Sequence, residues 1–128
     1  LLVACGLAAC GNKDDVDELP AKLVQFEPEI EIREVWSTKI GEGSERLRLG
    51  LAPETDGTRV FAGAHDGTAV AFDLSTGDII WSTDANVQLA AGPGVGFGLV
   101  VFGTSDGSLL ALSADTGEQV WHQAVGSE

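Results

Sequence analysis

The sequence predicts an all-β chain, a piece of a β-propeller built from four-stranded antiparallel blades, and three observations lead there. A block of about forty residues occurs twice: Arg59–Asp84 aligns without a gap on Leu99–Ala124, with the same residue at eight of 26 positions. Those eight pairs (Val60/Val100, Gly63/Gly103, Asp66/Asp106, Gly67/Gly107, Ala71/Ala111, Thr76/Thr116, Gly77/Gly117 and Trp81/Trp121) each return after 40, the period of a four-stranded propeller blade. Finally, no stretch holds an i, i+3, i+4, i+7 apolar pattern for three turns, and glycine occurs 17 times in 128 residues, which disfavours helix.

Within the first copy, apolar runs predict strands at about Thr58–Ala64, Thr68–Asp73 and Asp78–Thr83. His65-Asp66-Gly67 supplies a tight hairpin, because glycine accepts the positive φ that such turns need. Ser75-Thr76-Gly77 makes the second turn, its hydroxyls placed to bond nearby backbone N–H groups. An inner strand is expected before each trio, around Arg48–Pro53 and Val87–Gly94. The small residues of the latter suit a crowded central axis. The alternation predicts that Val60, Val70, Phe72, Ile80, Val100, Phe102, Leu110, Leu112 and Val120 supply much of the inter-blade core, with the two repeat tryptophans over it.

The most specific motif is Ala71-Phe72-Asp73-Leu74-Ser75-Thr76-Gly77-Asp78-Ile79-Ile80-Trp81, of the form A-x-D-x-x-T-G-x-x-x-W. A small alanine lets a neighbouring ring approach, and the turn aims the indole across the gap between blades, burying a large aromatic with its N–H bonded. In this motif the chain resembles the pyrroloquinoline-quinone-like propeller family and its tryptophan-docking repeat. The second copy keeps Ala111, Thr116, Gly117 and Trp121 but has Ser113 where the first has Asp73, which weakens one turn contact. Trp36, in Val35-Trp36-Ser37-Thr38, echoes Ile80-Trp81-Ser82-Thr83 without the motif before it. It reads as an isolated outer strand that closes the ring by pairing with the last blade. A ring of eight blades needs roughly 320 residues at this period, so two blades plus a closing strand are expected to be a fragment, marginal or aggregation-prone alone.

The chain divides into a signal-peptide tail (1–10), an acidic tether (11–32), the closing strand and linker (33–46), and two blades (47–86 and 87–128). Residues Leu1–Cys10 are apolar, too short to span a bilayer and suited to the end of a secretory signal. Leu7-Ala8-Ala9-Cys10 resembles a bacterial lipobox, which implies lipidation at Cys10; Cys5 is a poorer second candidate, and an ordinary secretory signal is the alternative. With about 0.8 kcal/mol per buried CH₂, two or more acyl chains tether a protein without a transmembrane helix. Gly11 lacks the aspartate that tends to retain such lipoproteins at the inner membrane, so outer-membrane sorting is expected. No cysteine follows Cys10, which excludes a disulfide in the mature domain. The tether, acidic and proline-interrupted, reads as a solvated spacer. A formal charge of −13 argues against nucleic acid and anionic lipid as partners.

The search for catalytic chemistry returns no catalytic, metal or cofactor residue. His65 sits at a hairpin tip and His122 follows a docking tryptophan, neither at metal-ligand spacing from another ligand type. There is no Gly-x-Ser-x-Gly, Walker loop or HExxH. Gly92-Pro93-Gly94-Val95-Gly96-Phe97-Gly98 is glycine-rich, but no helix follows to cradle a phosphate, and it reads as inner strand and turn. The order of lipobox, acidic tether, Phe26-Glu27-Pro28, Val35-Trp36-Ser37-Thr38-Lys39-Ile40-Gly41-Glu42-Gly43 and Thr-Gly-x-x-x-Trp blades is similar to that of the BamB family, lipoproteins of the outer-membrane β-barrel assembly machinery. That resemblance implies an eight-bladed ring and a non-catalytic, lipid-anchored scaffold on the periplasmic face of the outer membrane. It further implies binding to the periplasmic domains of BamA and other machinery subunits, through loops of later blades. Two alternatives stay open: a fragment of a quinone-dependent periplasmic dehydrogenase, and a propeller-repeat sensor or adhesion module of unknown ligand.

Overall fold

The computed structural model describes residues 20–24, 27, 29–43 and 49–126. Cys10, the lipobox and the first part of the tether lie outside them. The chain divides into Leu1–Ile32 and Arg33–Glu128. In the first unit the described residues carry neither helix nor strand. No helix among the described residues is long and apolar enough to cross a membrane.

The second unit is two propeller blades. Its strands are β1 (Gly50–Leu51), β2 (Glu54–Thr55), β3 (Arg59–Gly63), β4 (Thr68–Asp73), β5 (Ile79–Asp84), β6 (Leu89–Gly96), β7 (Leu99–Thr104), β8 (Ser108–Ser113) and β9 (Gln119–Ala124). One sheet runs β2-β3-β4-β5 and the other β1-β6-β7-β8-β9, every pairing antiparallel except the parallel β1–β6. The β4 strand falls where alternation predicts it. The inner strand of the first blade departs from the expected Arg48–Pro53: Pro53 has no N–H for a ladder and divides the segment. Before it, Gly50 and Leu51 pair with Ala91 and Gly92 of the second blade; after it, Glu54 and Thr55 pair with Phe61 and Val60 of the first. The inner segment thus stitches the blades together. The Gly-rich β6 is crowded only in part. A Cβ at Gly92 would stand 2.9 Å from the Val101 carbonyl oxygen, whereas at Gly94, Gly96 and Gly98 it would meet nothing within 4 Å among the described residues.

Strand parity decides the core. Odd-numbered Phe61, Ala69 and Ala71, with Trp81 opposite Ala71, face even-numbered Val100, Phe102, Leu110 and Leu112, with Leu89 and Ala114, in one buried cluster. Gly63 opens space for this, since a Cβ there would lie 2.6 Å from Phe102 Cε1. The predicted Val100, Phe102, Leu110 and Leu112 are in the cluster; Val70 and Phe72 are buried on the opposite face of the first blade, and Val60 beside them is half-buried. Ile80 and Val120 are instead exposed, at 46% and 54%. The cause is a β-bulge in each blade. Ala71 pairs with Trp81 but Phe72 with Ile79, and Ala111 with Trp121 but Leu112 with Gln119, so Ile80 and Val120 are the extra residues, turned away from the ladder. Trp121 is also not over a core: it is 37% exposed on the outward face of the second blade. Residues 33–43 carry no strand; they lie against the first blade through the Trp36 indole, which donates to the Leu74 carbonyl, and the Glu42 N–H, which donates to Asp66.

Candidate functional site

Each blade-closing motif builds a socket. In the first blade, Asp73 Oδ1 accepts from Ser75 N (2.8 Å), Ser75 Oγ (2.5 Å) and Thr76 N (3.0 Å), while Gly77 N donates to the Asp73 carbonyl (2.9 Å). Thr76 Oγ1 accepts from Asp78 N (3.2 Å) and donates to Asp78 Oδ2 (2.9 Å). In the second blade Ser113 Oγ replaces the carboxylate and accepts from Asp115 N and Thr116 N at 3.3 Å each, so the turn is kept on longer, uncharged bonds. Both turns present a carbonyl and a glycine face towards the indole of the preceding unit.

Trp81 fills the second socket. Its Nε1 donates to the Ala114 carbonyl at 3.0 Å, its six-membered ring lies where a Gly117 Cβ would stand (2.5 Å from Cε3), and Thr83 Oγ1 donates to the Gly117 carbonyl at 2.8 Å. Phe61 packs beside the indole, ring centroids 6.1 Å apart at 40°. Trp36 fills the first socket in the same manner. Its Nε1 donates to the Leu74 carbonyl at 2.9 Å, a Gly77 Cβ would stand 2.7 Å from its Cδ2, and Phe72 lies 5.8 Å away at 38°. Leu74 and Gly77 are the repeat equivalents of Ala114 and Gly117, so Trp36 docks without having the motif before it. The one signal for this was the Val-Trp-Ser-Thr echo. Ala71 and Ala111 lie at 0% exposure beneath the Trp81 and Trp121 rows. Only Trp121 has no socket against it among the described residues.

A second inter-blade clamp has no counterpart in the repeat pattern, since Leu99 stands where the first copy has Arg59. The Arg59 guanidinium donates to Asp56 Oδ2, Asp115 Oδ1 (both 2.8 Å) and the Ala114 carbonyl (2.6 Å), and its Cζ lies 5.1 Å from the Phe61 ring centroid. Trp81 and Arg59 therefore share one acceptor on the next blade. Asp115 first, then Asp56, holds the guanidinium charged more firmly than usual.

Four carboxylates are held below their ordinary 3.8: Asp56 by the Thr58 N–H and then Arg59, Asp66 by Thr68 and then the Glu42 N–H, Asp73 by the Ser75 hydroxyl, and Asp106 by the Thr104 hydroxyl. Because the folded values are depressed, their contribution is complete above the unfolded value and is lost as pH falls through and below it. Asp56→Asn is expected to lower Tm at pH 7, with the difference from wild type shrinking progressively below about pH 4 and lost fully only in strongly acid solution, below about pH 2. Tm measured against pH for the pair checks this, and taking the difference removes the general effect of titrating a chain of charge −13. A difference that stays constant with pH would contradict it.

The two histidines lie in different blades. His65 Nδ1 is 2.9 Å from the Leu89 carbonyl, beside an open recess of about 230 Å³ lined by Ile40, Leu49, Leu51 and Ala64; His122 lies exposed on β9. Among the described residues, no three His, Cys, Asp or Glu side chains are placed to share a metal ion.

Comparison with known proteins gives a consistent outcome. The family profile described as outer membrane protein assembly factor BamB matches residues 32–128. The chain is 34% identical over 103 residues to the BamB of Pseudomonas aeruginosa, covering 80% of this chain and 27% of that protein. It is 39% identical over 101 residues to the BamB of Taylorella asinigenitalis, covering 79% and 24%. Among solved structures, BamB from Moraxella catarrhalis superposes with TM-score 0.53 at 24% identity, over 59% of this chain and 24% of that one. The quinohemoprotein alcohol dehydrogenase of Comamonas testosteroni superposes with TM-score 0.52 at 28% identity, over 62% and 14%. The chain spans about a quarter of the length of the curated relatives it matches.

Proposed function

The chain belongs to the BamB family of outer membrane protein assembly factors, and from that membership we propose that it is the blade-bearing part of a non-catalytic scaffold for inserting β-barrel proteins into the outer membrane. The protein is held on the periplasmic face by acyl chains on Cys10, with the acidic segment to residue 32 as spacer. Its partners are the periplasmic domains of BamA and other subunits of the assembly machinery. The observation that carries this reading is the family match across 32–128. The structure supports it: the most distinctive side chains, Trp36, Trp81, Ala71, Asp73, Thr76, Gly77, Ala111, Thr116 and Gly117, are spent on holding repeats together. Blades that invest their aromatics in docking leave the protein a surface for binding.

The likeness to a quinohemoprotein dehydrogenase favours a second reading, a redox enzyme of the same architecture. One preparation separates the two. The full-length protein, expressed with its own signal and purified from membranes, is expected to bring BamA with it and to show no quinone absorbance. Cys10→Ser is expected to move it from the membrane to the soluble periplasmic fraction. Bound quinone with alcohol oxidation, and no BamA, would replace the scaffold with the dehydrogenase.

A further inference from the structure

One position breaks the likeness between the two blades. The first two strands of each blade are joined by a hairpin, Asp56-Gly57-Thr58 in the first and Phe97-Gly98 in the second. The hairpins are equivalent: Leu74 N donates to the Thr58 carbonyl at 2.9 Å, and Ala114 N donates to the Gly98 carbonyl at 2.8 Å. Gly57 and Phe97 therefore occupy the same place, and both have positive φ, 94° and 50°. At such a position glycine is unstrained and asparagine or aspartate tolerable, whereas a bulky aromatic is an outlier. Phe97 nevertheless stands there with its side chain fully in solvent, at 109% exposure. The ring adds nothing to the fold. The space around the hairpin is open: Cβ atoms at Gly94, Gly96 and Gly98 would meet nothing within 4 Å among the described residues.

The surroundings state what could receive it. Phe97 shares one end of the blades with the turns at 56–58, 74–78 and 114–118, whose own residues include Asp56, Asp78, Asp115 and Glu118 and no lysine or arginine. Arg59, at the base of this end, is committed to Asp56 and Asp115. An exposed aromatic in an acidic field is repelled by anionic lipid and nucleic acid. It complements an apolar pocket with a basic rim on a protein, where a preformed turn carries little ordering cost.

We propose that the β6–β7 hairpin is a docking anchor, with Phe97 inserting into an apolar pocket ringed by lysine or arginine on a periplasmic partner protein. The proposal rests on the scaffold reading and assigns it a further contact surface within these blades, additional to the later-blade loops that the family resemblance implies, at the end bearing the 56–58, 97–98 and 114–118 turns.

The test uses the full-length protein without its lipid, and purified BamA periplasmic domains as the probe. Phe97→Ala and Phe97→Gly are expected to weaken binding at least tenfold, as for a central aromatic anchor, while Phe97→Trp binds within about threefold of wild type. Phe97→Gly, which restores the residue type of the first blade, is expected to keep Tm at or above the wild-type value. Opposite movement of affinity and stability is the signature of an anchor rather than a structural ring. Unchanged affinity in Phe97→Ala alongside firm wild-type binding would overturn the anchor and leave the scaffold standing. A lowered Tm in Phe97→Gly would make the ring structural, and Phe97-dependent binding to phosphatidylcholine vesicles in place of protein would make it a membrane contact; either overturns the proposal. Absence of wild-type binding to BamA would overturn the scaffold reading and the anchor with it.

Discussion

Trp81→Ala is expected to destabilise the full-length protein by about 3–5 kcal/mol, the range for removing a buried aromatic. Trp81 is 8% exposed, and its indole joins the two blades through its bond to the Ala114 carbonyl and its seat on Gly117. Truncation removes the ring from Phe61 and from the face of Gly117, and strands the Ala114 carbonyl on the indole side while Arg59 still bonds it. Chemical denaturation of wild type and variant, compared at equal m-value, gives the number. A loss below about 1 kcal/mol would mean that the ring is not an inter-blade dock.

Gly117→Ala attacks the same contact from the other side and is expected to cost about 2–4 kcal/mol, combining overpacking with a disfavoured backbone. The added methyl would stand 2.5 Å from Trp81 Cε3 and 2.7 Å from Thr83 Oγ1, and Gly117 has φ 73°. The backbone part can be separated. Gly107 has φ 82° with nothing within 4 Å of its would-be Cβ, so Gly107→Ala should show that part alone, about 1 kcal/mol. Equal losses at the two glycines would show that the indole yields at no cost. If the methyl acts through the ring, Gly117→Ala should cost much less in a Trp81→Ala background, because the two positions are in contact.

Much of this was legible because propeller information is local and repeated. Gly63, Asp66, Gly67, Thr76 and Gly77 punctuate the strands through turns only a few residues long, and a period of forty turns two weak patterns into one strong one. The misplaced residues fail for a common reason. Ile80 and Val120 look like core in an unbroken alternation, but a bulge one step from each tryptophan consumes them, and nothing in the residue types announces it. Phe61 and Leu89 escape an alternation argument because both faces of a blade are apolar, and alternation alone does not say which face meets which neighbour. Pro53 is the one residue in the inner segment that signals its change of partner, and a proline marks a strand's end equally well. The Arg59 clamp joins residues 55 and 56 positions apart, beyond any local pattern. Among the site residues, the motif named the Trp81 socket. The Trp36 docking needed the structure, since its socket lies in another repeat. Phe97 stands forty residues after Gly57, yet within the run Gly92–Gly98 its side chain reads as no more than part of a turn.

The socket geometry also restricts how such units associate. One side of a blade offers an indole and the other a carbonyl with a bare glycine face, so the two halves of the contact differ. A surface of this kind cannot pair with itself about a two-fold axis, and it joins copies only head to tail. Head-to-tail joining produces either a closed rotation or an open helical filament, and the choice between them lies in the angle each step adds rather than in the strength of the bond. The angle of each step belongs to the packing between the sheets, where Phe61, Phe102 and Leu89 lie fully buried, and not to the indole socket alone.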